Sequence, residues 1–480
     1  MGGWAYYRET TYSRGKLGGG WWERGDVPSV FKVYPGLPTV SLPRDITFPS
    51  STLEEILLQR SDSGVSSRLS SFSLPVLSSF LFLSYGVTLV LRDERFSFRT
   101  VPSAGALYPA ELYIAVCGAP ELRSGIYNYN AGRHSLTELA RLDESRNPSP
   151  ALQAFVTGIF YRSSCKYRER AFRYVLLDCG HLLEQVFLAG QAVGFHPVFR
   201  TSSRPPLQSA SSWEDLLAVD PQHEIVLGTV VFENSPDYSN MEYSADPEYL
   251  KSFSKVAKRA PVPPSILEVS KATSRDIVSI GAELQSAIDQ KVKGEIAPDY
   301  IPLNVPFASA TLSRRSRRNY LIRSIQSNAV VSFARTLEDF LFIDDFKILF
   351  VMERCEESFP NGIYELVAGN NGARLSLLKQ GTFLRSIAHA SLDQTWLGDA
   401  VIHVIMVARI AEAEKRSGPG AYRNLLIHTG RAGQRIYLVS EALGLGCCGV
   451  GAFYDVEVRN VLGLPDDWDV LYLLGIGLVK

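Results

Sequence analysis

RYVLLDCGHLLEQVFLAGQAVGFHPVF, spanning Arg173–Phe199, and RNLLIHTGRAGQRIYLVSEALGLGCCGVGAF, spanning Arg423–Phe453, are two versions of one segment. Gly180 aligns with Gly430, Leu188 with Leu438, Ala192 with Ala442 and Gly194 with Gly444, all at one shift of 250 residues. Both versions are mostly apolar around the whole helical circumference, the pattern of a helix buried on nearly all sides. Each is therefore expected to be the central helix of its own half of the chain.

Other matches keep the same order. Gly125-Ile126-Tyr127 pairs with Gly362-Ile363-Tyr364, followed by LTELA and LSLLKQG, and IVLGTVVF (Ile225–Phe232) pairs with LYLLGIGLV (Leu471–Val479). A repeat of long period changes the reading of a whole fold, and three matches in one order predict a duplicated domain. The runs ELYIAVCG (Glu111–Gly118) and FKILFVME (Phe346–Glu353) are bounded by polar or turn residues and read as strands. Each half is thus predicted to be α+β, an antiparallel-rich sheet flanked by helices. Residues 1–40 form a lead-in, 41–259 the first domain, 260–300 a linker and connector, and 301–480 the second domain. Within the connector, APVPPS (Ala260–Ser265) has linker character. The helical period of Ile266–Lys293 predicts a helix packed over the first domain.

At 480 residues the chain is long for one domain, as duplication requires. Lys+Arg of 49 against Asp+Glu of 50 leaves a net charge of −1, so no global field attracts nucleic acid. Nor is there a local basic run to do so, and nucleic acid is not an expected partner. Met1–Glu23 lacks the apolar stretch of a secretory signal. Apolar runs such as Val401–Val407 fall far short of the ~20 residues that cross a bilayer. The six cysteines (Cys117, Cys165, Cys179, Cys355, Cys447, Cys448) show neither CxxC pairs nor a disulfide framework. A cytoplasmic protein without a metal site or membrane span is the expectation.

The differences between the halves carry the chemistry, because a duplicated enzyme can keep one site and lose the other. The second half begins with LSRRSRRNY (Leu312–Tyr320), in which guanidiniums crowd a hydroxyl. Arg side chains hold phosphate through charge-assisted, often bidentate bonds, so Arg314, Ser316 and Arg318 are candidate phosphate ligands; the alternative is a solvated basic turn. The corresponding first-half stretch, Gln59-Arg60-Ser61-Asp62-Ser63, has one Arg and an added acid. The first half instead carries RTVPSAGALYP (Arg99–Pro109). Small residues between two prolines, here Ser103, Ala104, Gly105 and Leu107 after Pro102, make a rigid loop able to lie against a flat ligand, or simply a turn. Cys165-Lys166-Tyr167-Arg168, just before the first central helix, pairs an amine with a phenol. Such a pair favours a phenolate, shuttles protons, or is an ordinary surface dipeptide.

Gly444-Leu445-Gly446-Cys447-Cys448-Gly449 spells GxGxxG but follows a helix and precedes a strand, the reverse of a dinucleotide fingerprint. Its glycines still allow backbone amides to approach a ligand edge closely, as a flavin would require.

Together these segments resemble the nitroreductase-like flavoproteins, and specifically the SagB-type azoline dehydrogenases. The opening YRETTYSRGKL and VYPGLPTVSLP resembles that group's lead-in, PSAGALYPAELY is its most specific signature, SRRSRRNY is similar to the entry motif RRSxRxF, and Lys166-Tyr167 resembles its Lys-Tyr motif. The resemblance implies two nitroreductase-like domains in an intramolecular pseudo-dimer around one FMN. The second half would supply Arg314, Ser316, Arg318, Gly449, Val450 and Gly451, and the first Pro102, Ser103, Ala104, Gly105 and Leu107, with Lys166 and Tyr167 above the ring. It implies oxidation of thiazoline or oxazoline rings in a precursor peptide, with a cyclodehydratase or another peptide-modifying protein as partner. Two other readings stand beside it: an NAD(P)H-dependent nitro or quinone reductase, and a non-catalytic scaffold in a peptide-modifying complex.

Overall fold

The two matched segments fold as long helices, Ala171–Ala192 and Gly420–Ala442, packed directly on one another. Both are buried along nearly their whole length, so neither has a polar stripe to show to water. They also end alike. Gly194 (φ +87°) and Gly444 (φ +69°) take the left-handed conformation that stops a helix with least strain. The next amide in each case turns back, Phe195 N–H to the Gly190 carbonyl at 2.9 Å and Leu445 N–H to that of Ser440 at 2.8 Å.

Each helix serves one antiparallel sheet. In the first sheet the strands lie in the order Thr39–Ser41, Ser135–Arg141, Gly125–Asn130, Ala110–Cys117, Ala151–Ile159, Glu224–Phe232 and Pro197–Arg200, with Glu242–Tyr243 also pairing to Ser135–Arg141. In the second the order is Arg374–Gln380, Gly362–Val367, Phe346–Met352, Ile402–Ala408, Asp469–Gly477 and Gly446–Val450. The six strands of the second sheet thus reproduce six neighbours of the first. Even the irregularities coincide: the register slips at Ile126/Tyr127 and Ile363/Tyr364, and again at Val156/Thr157 and Met406/Val407. Bulges at matched positions bend both sheets alike.

The computed structural model describes every residue except 16–24, 59–71, 92–96, 201–211, 233, 275–299, 357 and 370–371. One apolar cluster runs through both halves, joining the inner faces of the two sheets to the central helices. Two smaller clusters cover the outer faces, around Phe155 and Trp213 in the first half and around Ile405 and Trp468 in the second. Burial on both faces explains why Ala110–Cys117 and Ile402–Ala408 read as nearly continuous apolar runs, broken only by Glu111 and His403. Between the helices, His181 Nδ1 lies 3.2 Å from Gln434 Oε1, and Gln434 Nε2 donates to Gln185 Oε1 at 2.8 Å. The chain is therefore a pseudo-dimer whose two halves share one interior. Among the described residues no helix is long and apolar enough to cross a membrane.

The connector departs from expectation. Its described turn of helix, Pro264–Thr273, lies against the N-terminal helix Gly3–Glu9 and the second central helix, where Arg423 donates to the Ser270 carbonyl at 2.8 Å. The reason is chemical: Arg423 is buried and needs acceptors, and the end of that helix supplies them. The rest of the predicted connector helix, from residue 275, lies outside the described residues, as do Lys16 and Leu17 of the lead-in motif.

Candidate functional site

The first-half loop runs from the strand Ser97–Arg99 to the strand Ala110–Cys117. Its backbone is unusual: Gly105 (φ +66°), Ala106 (φ +55°) and Tyr108 (φ +45°) all lie at positive φ, which costs about 1 kcal/mol or more for each residue bearing a Cβ. The first central helix holds this shape in place. Asp178 accepts the Ser103 hydroxyl at 2.6 Å and the Ala104 amide at 3.2 Å, and Ser103 Oγ accepts the Tyr108 amide at 2.8 Å. Burial pushes Asp178 up to about 7, against the opposing pull of those two donors. Pro102 is buried, Ala104 and Leu107 are half-buried, and Gly105 is exposed at the tip.

The loop meets the Lys-Tyr pair at that tip. Lys166 and Tyr167 end the helix Phe160–Tyr167, and a Cβ on Gly105 would lie 2.8 Å from both Lys166 Nζ and Tyr167 Oη. A side chain at this positive-φ position would be strained and would push amine and phenol away from the tip. The Tyr167 ring lies 4.5 Å from that of Tyr174, and Lys166 Nζ sits 5.2 Å from the Tyr167 ring. Burial, reinforced by the charge of Asp178, pushes Tyr167 up to about 12, while Arg318 pulls the other way. The environment thus keeps a neutral phenol near neutral pH. The phenolate that a neighbouring Lys was expected to favour is not supported, because loss of hydration outweighs the cations nearby.

The arginine motif follows the short helix Phe307–Ser313 and runs beside the strand Gly446–Val450, with Ser316 bridged to Cys447. Its arginines divide the work. Arg315 donates to the Leu312 and Arg314 carbonyls at the helix end, and Arg317 lies 3.9 Å from Glu441. Arg314 is 2% exposed and donates Nε to the Thr100 carbonyl at 2.7 Å and Nη2 to that of Arg99 at 2.9 Å, binding the arginine motif directly to the first-half loop. Its Nη1 is buried, and among the described residues it has no hydrogen-bond partner and no carboxylate pairs with it. Burial lowers its affinity for its proton. A buried cation with an idle donor fits an anionic ligand. Ser316 and Arg318 face solvent beside it; Arg318 Nε contacts Cys448 Sγ at 3.4 Å. This donor set fits the phosphate of an FMN.

The glycines of the second-half strand have a different cause from the one expected. A Cβ on Gly449 would run into the Tyr472 hydroxyl, and one on Gly451 into the Tyr174 ring. Protein side chains already require glycine there. The Gly449 amide is also committed, donating to the Tyr437 hydroxyl at 2.7 Å. Val450 turns its side chain into the outer core of the second half. What the strand offers the site is the backbone around Gly451, whose carbonyl takes bonds from Arg170 Nη2 at 3.0 Å and Tyr174 at 3.2 Å.

The mirror position, related by the internal repeat, is built otherwise. The counterpart of Tyr437 is Phe187 and that of Gly449 is Phe199, and these two rings stack at 4.6 Å and 4°. The Arg431 guanidinium lies 3.7 Å over Phe199 and pairs with Glu184 at 2.9 Å, which also binds Arg435 at 2.6 Å. Aromatic rings and a closed ion cluster occupy the place where the other side has a glycine strand. The first-half counterpart of the arginine motif, Gln59–Ser63, lies outside the described residues.

Reading the sequence for motifs missed Asp178, Tyr174, Tyr437 and Tyr472. A carboxylate inside an otherwise apolar helix was one available signal. The Tyr437/Phe187 and Gly449/Phe199 mismatches within the repeat were another.

Comparison with known proteins gives the family. The nitroreductase family model matches residues 351–478. MJ1384 of Methanocaldococcus jannaschii, which bears a nitroreductase name, is 36% identical over 160 residues, covering 30% of this chain and 76% of that protein. The trifolitoxin-processing protein TfxB of Rhizobium leguminosarum bv. trifolii is 32% identical over 149 residues, covering 28% of this chain but only 39% of TfxB. A crystal structure from Anabaena variabilis, also named as a nitroreductase, superposes over 100% of this chain and 99% of its own with a TM-score of 0.71 at 23% identity, a likeness of fold. With its duplicated sheet and helix, and a relative of more than 30% identity matched over three quarters of its length, this chain belongs to the nitroreductase family.

Proposed function

We propose that the chain is an FMN-dependent dehydrogenase that oxidises azoline rings to azoles in a peptide natural product, with one FMN per chain. The observation that carries this reading is the bond from Arg314 of the second half to the Arg99 and Thr100 carbonyls of the first. It joins an anion-seeking corner to the loop whose tip, at Gly105, meets Lys166 and Tyr167, so one site draws on both halves. The closed Phe187/Phe199 arrangement argues against a second, equivalent site. The likeness to a trifolitoxin-processing protein supports a peptide as the substrate class.

Arg314, Ser316 and Arg318 would hold the phosphate, and the loop from Pro102 to Leu107 would lie against the ring system. When bound, FMN supplies a two-electron acceptor for hydride, regenerated by dioxygen or another oxidant. The chain's own task is the proton. An azoline gives up a hydride and a neighbouring proton as it becomes aromatic, and a weak carbon acid needs a positioned group to take that proton. Lys166 Nζ, in its unprotonated form, would be the group that takes that proton and becomes the ammonium, with Tyr167 as a neutral phenol that orients the ring and relays the proton by accepting one as it donates its own. Asp178 fixes the loop beneath them. The buried faces of Tyr167 and Tyr174 keep bulk water from one side of the pair.

The test is a purified protein examined by visible spectrum and by turnover of an azoline peptide. Lys166→Ala with Tyr167→Phe should leave the flavin bound and abolish turnover. A fully active double variant would refute the assignment, and a colourless wild-type protein would refute the flavin. The nitroreductase name of the archaeal relative favours a second reading, reduction of nitro compounds or quinones by NAD(P)H. Bleaching of the flavin by nicotinamide, without azoline turnover, would select it.

A further inference from the structure

Tyr437 lies in the second central helix with its ring 2% exposed. Its hydroxyl accepts the Gly449 amide at 2.7 Å and stands 3.0 Å from Ser316 Oγ. Counting protons shows a surplus. Tyr437 and Ser316 each carry one hydroxyl proton, and a single bond between them uses only one. The other is left for Cys448 Sγ, which the Tyr437 hydroxyl also meets, or for whatever lies on the open side of the exposed Ser316. Arg314, whose guanidinium lies 5.4 Å from the Tyr437 ring, has its idle Nη1 in the same corner. Arg318 stands on the solvent side, its Nε against Cys448 Sγ at 3.4 Å. The idle Nη1 of Arg314 is what marks an anion site, because an unspent donor on a buried cation costs free energy until something accepts it.

The repeat provides an internal control. At the same place in the first half the chain has Phe187, half-buried in the matching helix and stacked on Phe199. The matching helix position thus accepts a ring without the hydroxyl. The hydroxyl is present where the arginine motif is, and absent from the position filled by the stacked rings.

We infer that the Tyr437 hydroxyl is a further phosphate ligand of this site, acting with Ser316 and the free Nη1 of Arg314, while its accepted bond fixes the Gly449 amide. The inference rests on the flavin reading above, and goes beyond it in assigning a ligand outside the arginine motif. A tyrosine so placed discriminates between phosphorylated and unphosphorylated flavin.

The experiment is titration of flavin-stripped protein with FMN and with riboflavin, followed by quenching of flavin fluorescence. Tyr437→Phe should weaken FMN binding about tenfold, the size expected for one hydrogen bond to a charged group, and leave riboflavin binding within about twofold. Riboflavin reports on the fold of the pocket in the same sample. Unchanged FMN affinity overturns the inference, and so does an equal loss for both flavins, which would make the hydroxyl merely structural. Either of those results with a wild-type protein that binds FMN leaves the flavin reading intact. A wild-type protein that binds neither flavin overturns both.

Discussion

Gly180 of the first central helix and Gly430 of the second face each other where the two helices cross: a Cβ on Gly180 would lie 2.9 Å from the Gly430 Cα, and one on Gly430 3.0 Å from the Gly180 Cα. Either Cβ would also run into a backbone carbonyl of the opposite helix, that of Ile427 or of Leu177. The same residue pair fixes the register of the internal repeat, so the pseudo-dyad of the fold passes through the contact that the sequence comparison found first.

This contact predicts an inverted helix effect. In an isolated helix Gly→Ala gains about 1 kcal/mol. Here the added methyl has only rigid backbone to displace, and overpacking of that kind costs roughly 1–3 kcal/mol. Gly180→Ala and Gly430→Ala should each lower the unfolding midpoint in urea. A rise in either midpoint would show that the helices separate freely and that the glycines are not required.

Flavin content tests the inequality of the two sides. Arg314→Gln removes the buried cation that binds the two halves and seeks an anion, so purified protein should hold less than about a tenth of the wild-type flavin. Phe199→Ala, on the opposite side, should leave the content unchanged at one per chain while costing stability, roughly 1–3 kcal/mol for a half-buried ring. Flavin released by denaturation and counted against chains decides it: two per wild-type chain would sink the single-site reading.

The fold was more legible than the site, for a physical reason. A helix buried on all sides must be apolar all round, and Gly180, Gly194, Gly430 and Gly444 were readable because close crossings and left-handed turns exclude other residues. The arginine motif and the PSAG loop could be singled out because one copy had them and the other did not. Asp178 and Tyr437 were invisible to that search, since one acid and one phenol inside long apolar helices resemble ordinary interior polar groups. What gives them meaning is three-dimensional: the loop that Asp178 holds lies 75 residues away in the chain, and the Tyr437 hydroxyl meets Ser316 across 121. The glycines of the GxGxxG run were noticed, but their cause was not. Tyr472 and Tyr174, which fill the space, are drawn there by tertiary packing alone.

A pH dependence of stability follows from Asp469. It is buried at the start of a central strand, its Oδ2 has no hydrogen-bond partner among the described residues, and burial pushes it up to about 7 despite Arg8, Arg173 and Arg459 nearby. Between the ordinary Asp range and about pH 7 the folded chain keeps a proton that the unfolded chain has released. Stability from this group is therefore present at about pH 4–5 and lost as pH rises toward 8, at up to roughly 1.4 kcal/mol for each pH unit in that window. Asp178, also raised to about 7, acts in the same direction. Urea midpoints should fall from pH 5 to pH 8, and fall less in Asp469→Asn. An identical slope in that variant would remove the assignment.

Asp455 should behave in the opposite sense and matter more. Burial alone would raise its pKa, but Arg170 and Arg173 hold it below the usual carboxylate range. The two arginines reach it at 2.8 Å each, and it accepts the Tyr12 amide at 2.9 Å and the Tyr7 hydroxyl at 3.1 Å. Three segments distant in sequence, the N-terminal stretch, the first central helix with the turn before it, and the helix Asp455–Leu462, thus meet on one carboxylate. Because its folded pKa is depressed, its contribution is present above the ordinary Asp range and lost as pH falls through the folded value. Asp455→Asn leaves two buried guanidiniums without their counter-charge, a change that costs roughly 3–5 kcal/mol. The consequence reaches the site through Arg170, which also holds the Gly451 carbonyl at 3.0 Å. The variant should therefore lose flavin at urea concentrations below those that unfold it. Flavin fluorescence and far-ultraviolet circular dichroism recorded along one urea titration would separate the two events, and coincident transitions would show that the clamp serves stability alone.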